Sequence, residues 1–275
     1  MEPSFNIQTE NATAASLQVL VEAGQQGLSL VAVDGNSKTV AHCVAWHFAA
    51  GTSADVAAAN IADLFAQEPL LQQPYQKVEL MYSFGESILT PQEVFASVDA
   101  NEMIQQVYGD AQDGVVRTDF VYSHHLHNVY RLPMAAARLA LQGNTATSGH
   151  QYSALLNSFS GDGDALWAIF YPHSVTVLLR KAGALQIVQQ YAYTSPEDAA
   201  WYLLAVCEQF GVAVQAVPLT LFGMIDQRSA LYAELYKYFL HINFAAMPEG
   251  LVWPDTLPQQ PGHSFSHLFT ALLCE

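Results

Sequence analysis

Three apolar runs, at 165–171, 175–180 and 185–193, follow one another with gaps of only three and four residues. Gaps that short join antiparallel neighbours, because a parallel return needs a crossover of a dozen residues or more. The runs therefore predict a three-stranded meander. In the first of them Trp167, Ile169 and Tyr171 alternate with Leu166, Ala168 and Phe170. Both sets are apolar, so this strand is expected to be covered on both faces and to lie inside a sheet. A helix follows, with Ser195 placed to cap it, Pro196 at its first position, Asp198 completing a capping box and Gly211 stopping it. Tyr202, Leu203, Val206 and Phe210 supply its apolar face. Residues 218–222 then read as a fourth strand, 229–240 as a helix, 242–246 as a fifth strand, 248–262 as a Pro/Gly-rich loop and 265–273 as a last helix.

The same order is legible upstream. Residues 17–22 and 27–33 read as strands, and Asp34-Gly35-Asn36-Ser37 predicts a hairpin whose Asp-Gly and Gly-Asn steps supply positive φ. A third strand at 38–48 leads to a helix at 54–67, striped by Val56, Ile61, Leu64 and Phe65, and then to a strand at 77–84 with Val78, Leu80 and Tyr82 on one side. Thr90-Pro91-Gln92-Glu93 has capping-box spacing, so short helices are expected over 91–108. Strands at 115–122 and 129–132 and a helix at 133–141, stopped by Gly143-Asn144, complete the first half. The polar stretch 143–149 is the candidate boundary, giving domains at 1–143 and 144–275. Each half is three antiparallel strands, a helix, a strand, a helix and a strand, the order of a ribonuclease H-like unit. Two such units in tandem make the actin-like ATPase fold, an α/β class with mixed sheets; the claim is a duplication of topology alone, and a loop-rich single open sheet is the alternative.

Composition narrows the partners. Lys+Arg 9 against Asp+Glu 25 gives a formal charge of -16, and no basic cluster is present to neutralise a row of phosphates. Nucleic acid and anionic membranes are therefore not expected. Apolar stretches break within about ten residues, short of the roughly 20 that span a bilayer, and the polar, acidic residues 1–13 do not read as a signal peptide. Cys43, Cys207 and Cys274 are odd in number and far apart, as reduced thiols of a cytoplasmic protein would be. No metal site is expected of them.

Particular residues carry a family resemblance. Gln190-Tyr191-Ala192-Tyr193, Ser195-Pro196-Glu197-Asp198, Trp201-Tyr202-Leu203-Leu204, Glu208-Gln209, Leu221-Phe222-Gly223, Leu231-Tyr232 and Leu235-Tyr236-Lys237-Tyr238 resemble the C-terminal half of an uncharacterised Bacteroidota family, domain of unknown function 3822. Ile88-Leu89-Thr90-Pro91 and Tyr130-Arg131-Leu132-Pro133 are similar to its N-terminal landmarks. The resemblance implies an actin-like ATPase fold and a bacterial cytoplasmic setting. It implies no established activity and no catalytic residue.

Such folds bind phosphates with two hairpins whose bare glycine backbone approaches the oxygens. In the first half the matching place is Glu22-Ala23-Gly24-Gln25-Gln26, with one acid and one glycine. In the second it is Tyr171-Pro172-His173-Ser174, which has neither, and whose proline lacks an N–H. The glycine pair expected beside adenosine is reduced to Gly223. A degenerate cleft is expected, and with it a non-catalytic scaffold or interaction module using no cofactor and an unidentified protein partner, with self-association left open. The alternative is a nucleotide-binding protein or slow ATPase holding ATP and Mg²⁺ around Glu22, Gly24 and Gly223.

Three other clusters have simpler readings. His124-His125-Leu126-His127 could put His125 and His127 on one strand face at chelating distance, but an exposed turn is favoured because no acid or Cys completes a ligand set. Gly161-Asp162-Gly163-Asp164 resembles part of a calcium loop and lacks its later glutamate, so a turn into the meander is expected. Tyr202, Tyr232, Tyr236 and Tyr238 fit partner contact and a core stripe equally well.

Overall fold

The computed structural model describes residues 1–9, 12–111, 113–139, 146–159, 161–258 and 260–274. The chain divides into two units, one of Met1–Phe159 with Gly250–Pro258 and Thr270–Glu275, the other of Ser160–Glu249 with Gln259–Phe269. The boundary expected at 143/144, and the Gly143-Asn144 helix stop, lie outside the described residues.

In the first unit β1 (Phe5–Gln8), β2 (Leu17–Gly24), β3 (Gly27–Asp34) and β4 (Val40–His47) precede α1 (Ala54–Gln67) and β5 (Lys77–Ser83). An inserted segment follows, made of β6 (Ser87–Pro91), α2 (Gln92–Phe95), α3 (Ala100–Tyr108), β7 (Gly114–Val121), β8 (Leu126–Pro133) and α4 (Met134–Ala137). Then β9 (Ala146–His150) and α5 (Gln151–Ser158) return to the main sheet. Its order is β1-β4-β3-β2-β5-β9, with β2, β5 and β9 mutually parallel and the rest antiparallel. The inserted strands form a separate sheet, β6-β8-β7.

The central strand β2 is buried along nearly its whole length, as a strand covered on both faces must be. On one face Val19, Val21, Leu30, Trp46, Val78, Leu80 and Tyr82 form a core with Ala57, Ala58, Ile61 and Leu64 of α1. Burying an Ile61 or Leu64 side chain contributes roughly 1.5–3 kcal/mol. Val56, expected in that stripe, is 53% exposed, and two alanines take the core positions because small side chains let the helix sit close to the sheet.

The second unit contains β10 (Ala165–Phe170), β11 (Ser174–Lys181), β12 (Ala184–Ala192), α6 (Pro196–Gln209), β13 (Leu219–Gly223), α7 (Ala230–Leu235) and β14 (Ile242–Phe244). A last helix, α8 (Ser266–Leu273), follows a long loop. The sheet runs β12-β11-β10-β13-β14, with β10, β13 and β14 parallel. This matches the order and directions of β4-β3-β2-β5-β9 in the first sheet. The meander and its central strand are as the sequence predicts: Leu166, Ala168 and Phe170 are buried against Ala199, Leu203 and Val206 of α6, and Ile169 is buried on the opposite face. The capping box is complete, with Asp198 N donating to Ser195 Oγ at 3.1 Å and Ser195 N to Asp198 Oδ2 at 3.0 Å. Gly211 ends the helix at φ 62°.

Two local expectations are corrected. Thr90 caps no helix: it is a buried residue of β6 opposite His127, and α2 begins only at Gln92 with no side-chain cap. At the Asp34 turn the positive φ belongs to Lys38, at 55°, and not to Gly35 or Asn36. Asp34 Oδ1 accepts from the backbone N–H groups of Asn36 and Ser37, so a side-chain acceptor shapes the start of the turn, and the left-handed residue comes after it.

Candidate functional site

The three expected site residues sit at the ends of parallel strands. Glu22 and Gly24 lie at the end of β2, and Gly223 at the end of β13. The carboxylate of Glu22 is 3% exposed, and Gln151 Nε2, from the first residue of α5, donates to its Oε1 at 2.9 Å. Gly24 closes the parallel ladder against Ser83, and a Cβ there would stand 2.7 Å from the Ser83 carbonyl oxygen. The glycine is required by sheet packing. Gly223 has φ 77°, and a Cβ on it would lie 2.3 Å from Phe170 O. Its N–H is already engaged, donating to His263 O at 2.9 Å.

The two hairpins differ in what they offer. In the first unit Gly24 pairs with Gly27 across a two-residue turn, Gln25-Gln26. Gln25 Nε2 donates to Thr52 O and Phe48 N to Gln26 O, so the turn is tied to the segment leading into α1. Beside it opens a cavity of about 460 Å³ lined by Gln25, Asp55, Phe84, Glu86, Asp113 and Arg131. Arg131 is the cation of this lining, and it is 7% exposed, paired with Glu86 at 2.5 Å and bonded to Gly109 O at 2.8 Å. With that charge matched, Asp55 and Asp113 leave the lining with a net negative charge. In the second unit the hairpin closes on itself: Tyr171 N donates to Ser174 O at 2.8 Å, Tyr193 N to His173 O at 3.1 Å and Tyr193 OH to Tyr171 O at 2.7 Å.

A buried polar network was not visible in the sequence. Asp119, on β7, accepts from Tyr130 OH at 3.0 Å, from His150 N at 2.7 Å and from Ser153 Oγ at 2.7 Å. Asn128 Nδ2 donates to Ser153 Oγ at 3.0 Å, and Ser87 Oγ to Asn128 Oδ1 at 2.5 Å. His150 caps α5 by accepting from Tyr152 N on Nδ1, which assigns the proton to Nε2 and makes that nitrogen the donor to Phe84 O at 2.9 Å. Burial holds the His150 imidazole well below its ordinary range, at about 4, so it is neutral at pH 7. Burial, followed by the neighbouring Asp119 charge, pushes the Tyr130 hydroxyl upward. The strand β9 that brings His150 and Gln151 here reads Ala-Thr-Ser-Gly-His, with no apolar alternation to mark it. The stripe Tyr152, Leu155, Leu156 was the one available signal, for the helix alone.

The remaining candidates resolve into structural roles. His124 lies in a 3-10 turn and His125 is left-handed at φ 51°, while His127 is the second residue of β8 and stacks on Phe95 at 3.9 Å. His125 and His127 therefore share no strand face. Among the described residues no group of three His, Cys, Asp or Glu side chains could hold a metal. Asp164 Oδ1 accepts from Ala182 N, which makes the Gly161 segment a turn beside the meander. Cys43 and Cys207 are buried and unbridged, with burial raising both thiols, Cys207 to about 11. No helix among the described residues is long and apolar enough to cross a membrane. Tyr232 stacks on Phe244, and Tyr236 is 65% exposed.

Comparison with known proteins bears on the family and the fold. A family model described as a protein of unknown function, DUF3822, matches residues 5–242. A Bacteroides thetaiotaomicron protein with an actin-like ATPase fold and unknown function superposes with a TM-score of 0.71 at 15% identity, covering 98% of this chain and 100% of that one. A chain of the PilM-PilN type IV pilus biogenesis complex gives a TM-score of 0.56 at 13% identity, covering 94% and 98%. No curated protein sequence matches. The mixed α/β architecture is the actin-like ATPase fold.

Proposed function

The chain belongs to the DUF3822 family, and from that premise we propose that it is a cytoplasmic, non-catalytic scaffold or protein-interaction module of two tandem ribonuclease H-like domains with a degenerate nucleotide cleft. The observation that carries the reading is the second hairpin. Its loop has proline in place of glycine, and its ends are closed by Tyr171 N to Ser174 O and Tyr193 N to His173 O. A phosphate needs converging N–H groups there, and proline removes one outright. The acidic cavity beside the first hairpin supports the same reading, since its arginine is matched by Glu86. The fold is compatible with assembly, as one similar structure is described as a pilus biogenesis complex.

A second reading rests on the Glu22 and Gln151 pair, a buried carboxylate and amide at the mouth of the first hairpin. In that reading ATP and Mg²⁺ are held around Glu22, Gly24 and Gly223, and the protein binds nucleotide or is a slow ATPase. Calorimetric titration of the full chain with Mg-ATP separates the two. No heat at millimolar nucleotide is expected, whereas micromolar binding lost in Glu22→Ala would replace the scaffold reading with the nucleotide one. Gly24→Val is unsuitable for this purpose, because the clash with Ser83 would disturb the sheet itself.

A further inference from the structure

The two sheets share one order, but their outer edges differ. In the first, β1 lies antiparallel on the outside of β4, pairing Phe5 with Ala45 through Gln8 with His42, and Ile7 is buried there. In the second, β12 is the topological counterpart of β4 and is the terminal strand of its sheet. Among the described residues no strand pairs with its outer side.

Open edges of natural sheets are guarded by charge, proline or short length. None of these guards β12: it is nine residues long and reads Ala-Leu-Gln-Ile-Val-Gln-Gln-Tyr-Ala, without charge or proline, in a chain of formal charge -16. A bulge at Gln186, itself a kind of edge guard, is confined to the start of β12, and the six pairs from Ile187 to Ala192 are continuous. An aromatic ladder leads away from this edge. Tyr191 stacks on Tyr202 with ring centroids 4.6 Å apart, and Tyr202 meets Trp201 at 5.2 Å. Trp201 is 63% exposed on a regular helix.

We propose that the outer edge of β12 is a docking site for an extended basic peptide segment of a partner protein, added antiparallel as β1 is added to β4. The segment supplies main-chain hydrogen bonds to the edge, and a Lys or Arg side chain on its α6 face rests on the Trp201 indole. A new strand lies about 4.8 Å outside β12, which sets that side chain beside Tyr191 and Tyr202. The basic character follows from charge complementarity: 25 acidic residues against nine basic ones steer cations to the chain, and an uncharged edge adds no ion pair to desolvate. This inference rests on the interaction-module reading and gives that module its partner class.

The test uses the full chain and three blocked eight-residue peptides: one alternating valine with lysine, its glutamate counterpart, and the lysine peptide with two central prolines. The lysine peptide is expected to slow amide hydrogen exchange over 184–192, and the other two are expected not to. Trp201→Ala, an exposed change that leaves the thermal midpoint in place, is expected to weaken binding about tenfold. Equal binding of the glutamate peptide, binding without protection of 184–192, or no binding at millimolar peptide each overturns the proposal. So does protection of β12 that grows with protein concentration in the absence of peptide, which would assign the edge to a second copy of this chain. Failure of the peptides with no Mg-ATP binding removes this inference alone, while micromolar Mg-ATP binding removes the module reading beneath it.

Discussion

Gln151 Nε2 donates a 2.9 Å hydrogen bond to Glu22 Oε1 across 129 positions of sequence, joining the first residue of α5 to the central strand of the first sheet. Both side chains are buried, at 1% and 3% exposure, so the amide is part of what makes a carboxylate tolerable in that position.

Removing that donor should therefore be costly. Gln151→Ala is expected to destabilise the protein by about 1–3 kcal/mol, the penalty for withdrawing a partner from a buried polar group. Gln151→Glu should cost more, since it sets two carboxylates against each other. Urea unfolding of the variants beside Glu22→Gln checks this. A loss for Gln151→Ala within error of zero would mean that the pair contributes nothing to stability.

Gly24 offers a second test, on backbone packing. Its missing Cβ would stand 2.7 Å from Ser83 O, and no flexible side-chain movement relieves a contact with backbone. Gly24→Ala should lower stability by about 1–3 kcal/mol through overpacking. Gly163→Ala, with open space around it and no positive φ, should change stability by only about 0.5 kcal/mol. Thermal unfolding of both variants reads the order, which would reverse if the parallel ladder at β2 and β5 could open without loss.

The buried imidazole of His150 predicts a pH dependence. Its folded value is depressed to about 4 from an ordinary 6.5, so the unfolded chain takes up a proton that the folded chain refuses. Stability from this group is whole above pH 6.5, falls as pH drops from 6.5 towards 4 and is flat below, for a total of about 3 kcal/mol. Burial lowers His42 as well, adding in the same sense. Asp34, held at about 2 chiefly by the Ser37 backbone N–H, acts in a separate window below pH 4. Urea midpoints at pH 7, 5.5 and 4.5 should fall steeply for the native chain and less for His150→Asn.

The second half was the more readable in sequence, for reasons visible in particular residues. Ala165 to Tyr193 is a run of contiguous neighbours: each strand pairs with the next, so short gaps and alternation carry the topology. The helix after it announces itself through Ser195, Pro196 and Asp198, whose capping bonds are local. In the first half β9 is not legible in sequence, because its pairing with β5 crosses the inserted segment and its side chains do not alternate. Thr90 has the spacing of a cap because capping spacing is a local pattern. Its burial in β6, opposite His127, is a tertiary fact.

By itself the sequence determined the meander, the capped helix and, in both halves, the shared order of three antiparallel strands, a helix and a fourth strand, since these follow from neighbour pairing, periodicity and backbone capping within a few residues. The last strand of the first sheet is β9 and not the strand expected at 115–122, which belongs to the inserted sheet. The tertiary structure alone decided which polar groups meet: Glu22 with Gln151, Asp119 with His150 and Ser153, Arg131 with Glu86. It also decided that β1 closes one sheet edge while β12 ends the other. Such contacts join residues tens of positions apart, and their energies depend on burial and on the few ångströms between partners. Neither quantity is written in the local order of side chains.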